Sequence, residues 1–203
     1  MKQFIILLVL SSAFVNAFSQ RISYGIGAGL NYSNLIFNNI GDEDSDYKIG
    51  FQLNALLEYN FNKTVGFRIE PGFVNRGTLN DAVLLDSKIN INYITAPLLI
   101  KISPIDNFAI LLGPEYAWRL TAKATTDGKT TNVKSIYDSK FDIGINAGIS
   151  YRFVDKIEIG LRYNRGFIST VKDLRTTDEY GNLEGKAKIC NHGFTFLITY
   201  IIK

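Results

Sequence analysis

The sequence predicts an all-β fold, an eight-stranded antiparallel up-and-down transmembrane β-barrel preceded by an export signal. Three observations carry the prediction. Eight runs alternate with period two, the connections between them are short and long in strict turn, and the polar face of the runs is built from glycine, arginine and carboxylates. Successive side chains of a strand point to opposite faces, so each alternating run defines one apolar and one small or polar surface.

The chain begins Met1-Lys2-Gln3, one positive charge, followed by the apolar run from Phe4 to Leu10 and then Ala17-Phe18-Ser19. Small residues at Ala17 and Ser19 suit a signal peptidase, which gives a signal peptide over residues 1–19, a cut between Ser19 and Gln20, and a barrel domain over 20–203. The apolar run is too short to cross a bilayer, and nothing downstream approaches the roughly 18 apolar residues of a membrane helix. Cys190 is the only cysteine, which excludes an intrachain disulfide.

The runs follow in order. Ile22, Tyr24, Ile26, Ala28, Leu30 and Tyr32 alternate with Ser23, Gly25, Gly27, Gly29, Asn31 and Ser33. The second run sets Ile49, Phe51, Leu53, Ala55, Leu57 and Tyr59 against Gly50, Gln52, Asn54, Leu56 and Glu58. In the third, Val65, Phe67, Ile69, Pro71 and Phe73 oppose Gly66, Arg68, Glu70, Gly72 and Val74. The fourth sets Ile94, Ala96, Leu98 and Ile100 against Thr95, Pro97, Leu99 and Lys101, but Ile89, Ile91 and Tyr93 upstream have the opposite parity. A bulge near Asn92 or Tyr93 is expected to reconcile the two halves. Phe108 to Arg119, Phe141 to Phe153, Ile157 to Asn164 and Gly193 to Ile202 complete the set.

Short connections lie at about Phe61 to Thr64, Ser103 to Asn107 and Val154 to Lys156. Long ones span Asn34 to Tyr47, Gly77 to Ser87, Thr121 to Lys140 and Ile168 to Cys190. Tight turns at one rim and extended loops at the other are the rhythm of an outer-membrane barrel, with both termini on the periplasmic side.

Composition decides which face is inside. A solvated strand face gains nothing from glycine, yet the polar face carries Gly25, Gly27, Gly29, Gly50, Gly66, Gly72, Gly113, Gly144, Gly148, Gly160 and Gly193. A narrow lumen needs small residues beside long ones. The charges on that face are Glu58, Glu70, Glu115, Asp142 and Glu158 with Arg68, Arg76, Arg119, Arg152 and Arg162, five acids against five arginines, while Lys63, Lys129, Lys156 and Lys172 sit in turns and loops. Guanidinium groups suit buried, multiply bonded pairing. Aromatics gather at the ends of the apolar stripes, as at membrane interfaces. The apolar face therefore meets lipid and the ten ions form a structural network in the lumen.

Several segments resemble the outer-membrane β-barrel domain of Bacteroidetes-type bacteria, the porin-family or PorT-like group. They are Arg68-Ile69-Glu70-Pro71-Gly72-Phe73-Val74-Asn75-Arg76-Gly77, Tyr93-Ile94-Thr95-Ala96-Pro97-Leu98-Leu99-Ile100-Lys101, Gly113-Pro114-Glu115-Tyr116, Phe141-Asp142-Ile143-Gly144-Ile145-Asn146-Ala147-Gly148 and Leu161-Arg162-Tyr163-Asn164-Arg165-Gly166. In the second, Thr95-Ala96 replace the group's usual Glu-Ile. The resemblance implies fold and outer-membrane location but no shared catalytic residue. Such barrels usually end on an aromatic residue, whereas this chain ends Tyr200-Ile201-Ile202-Lys203, leaving Tyr200 to serve in its place.

Candidate chemistry is sparse. His192, the only histidine, lies beside Cys190 and Asn191 with no motif around it. A hydrolase triad with Ser169 or Ser150 and an acid is the form an enzyme acting on lipid would take. Cys190 and His192 lack a second pair of metal ligands, and Asp42, Glu43, Asp44 and Asp46 lack the distal acid of a calcium loop. The glycines of Gly25-Ile26-Gly27-Ala28-Gly29 are spaced by two with no helix following, which excludes a phosphate loop. The balance of 22 basic and 19 acidic residues, scattered along the chain, excludes a nucleic-acid surface. The expected protein is a monomeric, non-enzymatic barrel without cofactor or metal, its lumen filled by side chains and its long loops binding at the surface. Its partners are membrane lipid and surface or periplasmic proteins. A secretion accessory, a lipid-modifying enzyme and a narrow channel are the alternatives.

Overall fold

A computed structural model describes residues 21–38, 46–81, 87–134, 139–168, 175–177, 183–186 and 188–203. The expected signal peptide, residues 1–19, and the acidic residues Asp42, Glu43 and Asp44 lie outside the described residues, as does Ser169. Asp46 is exposed at the start of its strand.

The strands are β1 (Ile22–Asn38), β2 (Asp46–Asn60), β3 (Val65–Ile69), β4 (Gly72–Asp81), β5 (Ser87–Ile105), β6 (Phe108–Thr126), β7 (Lys129–Asn132), β8 (Phe141–Val154), β9 (Ile157–Gly166), β10 (Arg175–Thr177), β11 (Leu183–Lys186) and β12 (Lys188–Ile201). β3 and β4 are two parts of one wall strand, because pairing with β2 and β5 resumes in the same register across Glu70-Pro71. Pro71 has no N–H to donate, but its carbonyl accepts from Ala55 N at 2.9 Å, so the gap is local. Counting β3/β4 once, a ring of eight antiparallel strands runs β1-β2-β3/β4-β5-β6-β8-β9-β12 and closes where β12 returns to β1. Closure continues to the last residues: Tyr24 N donates to Lys203 O at 2.9 Å and Ile202 N to Tyr24 O at 2.8 Å.

The apolar stripe faces outward. Ile26, Leu30, Leu53, Leu112, Ile145, Leu161 and Ile198 are all exposed, while Glu58, Arg68, Glu70 and Asn31 on the other parity have no exposed surface. Rings collect at both ends of this outer face. Tyr32 stacks on Tyr47 at 4.5 Å, Trp118 meets Phe141 edge-on at 4.2 Å and Tyr163 meets Phe194 at 5.2 Å toward the loop rim, with Tyr59–Phe61 and Tyr151–Phe153 toward the turn rim.

Two expectations are corrected. β5 carries no bulge at Asn92 or Tyr93; the shift lies in its partner, where Asn92 pairs with Thr121 but Tyr93 with Arg119, leaving Leu120 extra in β6. Ile89, Ile91 and Tyr93 therefore stay on the inward parity and are buried, while Lys88 between the same strands is exposed. They join Leu35, Val74, Ala122, Ala124, Val133 and Ile189 in an apolar core at the loop end of the lumen. The apolar-out pattern thus holds only over the hydrocarbon. Beyond it the outer face meets water, and the ordinary rule of apolar residues inside returns.

The second correction concerns the Thr121–Lys140 loop, much of which is strand. β6 runs on to Thr126 and turns through Asp127 (φ 49°) and Gly128 (φ 74°) into β7, with Thr126 paired to Lys129. Two consecutive positive φ values joined by an Asp-Gly pair make the two-residue hairpin turn that suits the twist of the strands. The short turns shrink too, to Asp106-Asn107 and Asp155-Lys156, while residues 61–64 stand as read.

The change of surroundings between the hydrocarbon band and the loop end predicts a cost of different origin at each level. Ile145→Arg, on the hydrocarbon-facing surface of β8, should cost about 2–4 kcal/mol near the midplane, whereas Ile91→Ala should cost about 2–5 kcal/mol as a cavity in a packed core. Urea unfolding of the refolded barrel in detergent micelles measures both, and an unaffected Ile145→Arg would mean that the inside-out assignment is wrong.

Candidate functional site

The inward parity of six of the eight wall strands places ionisable side chains in the lumen, where eight strands leave only enough room for side chains to fill. At the turn end the network centres on Arg68 of β3. Its Nε and Nη2 donate to Glu58 Oε2 at 2.8 and 2.5 Å, and Nη1 and Nη2 donate to Glu158 Oε1 and Oε2 at 2.5 and 3.0 Å. Glu58 stands beside Arg68 in the β2–β3 register, but Glu158 reaches it across the lumen from β9. One guanidinium thus joins two walls of the barrel. Glu70 approaches the same group at 3.5 Å and is held chiefly by Arg162, which forks onto both of its oxygens, Nη2 to Oε1 at 2.6 Å.

A second level lies nearer the loops. Arg76 pairs with Glu115 at 2.7 Å, and Asn146 donates to the other oxygen of Glu115 at 2.5 Å. The Arg76 guanidinium also sits 5.9 Å from the Tyr93 ring centre, and the Tyr93 hydroxyl accepts from Asn191 at 2.9 Å. Arg119 is buried opposite Tyr93 in the β5–β6 register, and buried Asp142 accepts from Ile168 N at 3.2 Å. All ten residues read from the sequence as lumen ions face inward, nine of them buried, with Arg152 a quarter exposed at the turn-end mouth.

Glycine sets the space for these long side chains. A Cβ on Gly148 would come within 2.7 Å of Arg162 Cγ, and one on Gly166 would collide with the Asp142 carboxylate. The spacing of small beside long residues is therefore a steric fit between neighbouring strands.

Sequence reasoning left two cations out of the network. Lys101 of β5 donates to Glu58 Oε1 at 2.6 Å and Asn60 Oδ1 at 3.3 Å. Lys48, which falls between the first long loop and the second run as read from the sequence, is buried in β2 and bonds to Asn75. The signal for Lys101 was its inward parity; Lys48 continues the parity of Gly50, Gln52 and Asn54.

His192 lies on the outward parity, half-buried among aromatic rings, with Tyr47 at 5.4 Å and Tyr163 at 6.4 Å. Ser150 is buried on the lumen side of β8. The two are on opposite faces of the wall, so the hydrolase triad they suggested is not assembled. Among the described residues, no three metal-ligating side chains come together.

Eight antiparallel strands closed on themselves, apolar outside and ionic within, define an integral membrane barrel. The family model for the outer membrane protein beta-barrel domain matches residues 16–172, and the chain belongs to that family, which places it in the outer membrane. Solved structures agree in fold. Neisserial surface protein A matches with a TM-score of 0.53 at 11% identity, over 87% of this chain and 96% of that one. Ail, the attachment invasion locus protein of Yersinia pestis, solved with the heparin analogue sucrose octasulfate, matches with a TM-score of 0.52 at 16% identity, over 90% and 99%. No curated protein sequence matches the chain.

Removing the hub should reveal how much depends on it. Arg68→Met leaves Glu58 to Lys101 and Glu158 to the more distant Arg152, a loss of up to about 3–5 kcal/mol, the scale of a broken buried pair. Gel mobility of the unheated barrel against temperature reads this directly, and a transition unchanged from the parent would show that the carboxylates do not depend on Arg68.

Proposed function

We propose that the protein is a non-conducting, non-enzymatic, monomeric surface barrel. Its signal peptide is removed after Ser19, its lumen ions act as a structural plug, and its loop-side extensions do the binding. One observation carries this reading: Arg68, in the turn-end half of the lumen, has no solvent-exposed surface and is bonded to carboxylates from both β2 and β9. A route for ions past it would have to break a desolvated, charge-assisted contact, which lies among the stronger hydrogen bonds a protein makes.

The outward reach of the strands supports the binding role. β5 and β6 are each 19 residues long, whereas about 9–11 residues span the hydrocarbon. The surplus of β6 turns at Asp127-Gly128 and pairs back with β7, a hairpin held above the membrane. The motif run from Arg68 to Gly77 and its four companions favour a place in the Bacteroidetes PorT-like group. With it comes a surface or periplasmic protein partner, secretion accessories included.

In planar lipid bilayers the refolded barrel should give no steady conductance. In intact cells a membrane-impermeant amine reagent should label Lys129 but reach Lys63 and Lys156 only after permeabilisation. Resolved channel events would replace the plug with a pore, and labelling of Lys63 in intact cells would invert the orientation.

A further inference from the structure

The turn-end mouth of the lumen holds a cavity of about 110 Å³ that the closed barrel does not need. Lys63, Lys101 and Arg152 line it together with the Ser103 hydroxyl, and its two acids are Glu158 and Asp106. Roughly 10–15 Å³ suffices for one water, so the space admits a small polyatomic ion.

The charges beside it do not balance. Glu58, Glu70 and Glu158 face Arg68, Lys101, Arg152 and Arg162, one cation too many. The surplus falls on Arg152. Both oxygens of Glu158 are already bonded to Arg68, at 2.5 and 3.0 Å, and Glu58 is filled by Arg68, Lys101 and Asn60. Arg152 is left with Nη2 at 3.5 Å from Glu158 and 3.9 Å from Glu58, and its Nε is buried with no hydrogen-bond partner among the described residues. Its backbone is nonetheless fixed, because Arg152 N donates to Asn107 O at 2.7 Å, tying the β8 end to the β5–β6 turn. A positioned guanidinium with unspent donors, two ammonium groups nearby and one excess positive charge form a receptor for an oxyanion. Asp106 is exposed at the rim and leaves the interior of the cavity to the cations.

We propose that this periplasm-facing mouth is an oxyanion site, sized for a phosphate group and held chiefly by Arg152, with Lys101 and Lys63 completing the charge. The site opens to the aqueous periplasm and not to the lipid-facing wall, so its ligand arrives from solution, as free phosphate or as a phosphate monoester. The site is separate from the loop-side binding surface, and its test leaves that reading untouched.

The experiment is an amide NMR titration of the refolded barrel in zwitterionic micelles. Sodium phosphate and glycerol phosphate are added in separate arms, each against sodium chloride at equal ionic strength. The expected result is saturable shifts confined to residues 61–64, 101–109 and 152–158, with affinity lowered at least tenfold in Arg152→Gln. Lys63→Gln, an exposed change with no demand on folding, should weaken binding severalfold and covers the case in which Arg152→Gln fails to refold. Saturation in both arms identifies the phosphate group as the feature recognised; saturation in one arm identifies the free ion or the monoester. Saturation in neither arm, shifts matched by chloride, or an affinity unchanged in Lys63→Gln and in any Arg152→Gln that folds, overturns the proposal.

Discussion

Hydrocarbon offers no hydrogen-bond partner to a backbone N–H or C=O, so strands that cross a membrane must satisfy one another all the way round. The return of β12 onto β1 meets that demand, and the pairing runs on as far as Lys203. Everything else in the molecule follows from having to close with eight strands. The ring is narrow, its inner face cannot hold a column of water, and whatever points inward must pack against whatever points inward from the opposite wall. Where Pro71 withdraws a donor, pairing on either side holds the register.

That confinement explains why ions and glycines share the inner face. Desolvating a charge is costly, and a buried ion pair is weak evidence of stability in itself. It does specify geometry. Arg68 satisfies Glu58 from the adjacent strand and Glu158 from across the lumen only in the observed register. Because side chains alternate with period two, a one-residue slip of β3 would turn Arg68 out to lipid and leave its carboxylates without it. Gly148 adds a steric condition, since only a residue without a Cβ leaves Arg162 room to reach Glu70. The network thus penalises wrong pairings as much as it rewards the right one.

Alternation is imposed by the pleat and by the difference between lipid and lumen, which is why the strands over the hydrocarbon were legible down to single residues, from Ile26 and Leu53 outside to Gly27 and Asn54 inside. The partnerships among the ions were not. The sequence placed Glu58 and Glu158 on one face but carried no distance between strands so far apart in the chain, and Lys101 was overshadowed by the five arginines. Strand ends beyond the membrane were missed for a different reason. There the outer environment changes from lipid to water, and a rule calibrated on the hydrocarbon band assigned Ile89, Ile91 and Tyr93 to the wrong face. The Asp127-Gly128 pair carried its own hairpin signal, hidden because a polar segment between barrel strands looks like loop.

The change of solvent also accounts for the unlike ends of the lumen. Toward the loops, long strands leave the membrane together, and with water outside them an apolar core from Leu35 to Ile189 seals the interior without any need for partners. Toward the turns, the connections are two to four residues long and the wall is shorter; the buried leucines there stand among the ions, Leu99 opposite Arg68 and Leu111 opposite Lys101. The closure there is shared with charged groups, whose pairing must come out even to be complete. Three carboxylates against four cations do not come out even, so the turn-end mouth is the place where this barrel has interaction left to offer something outside itself.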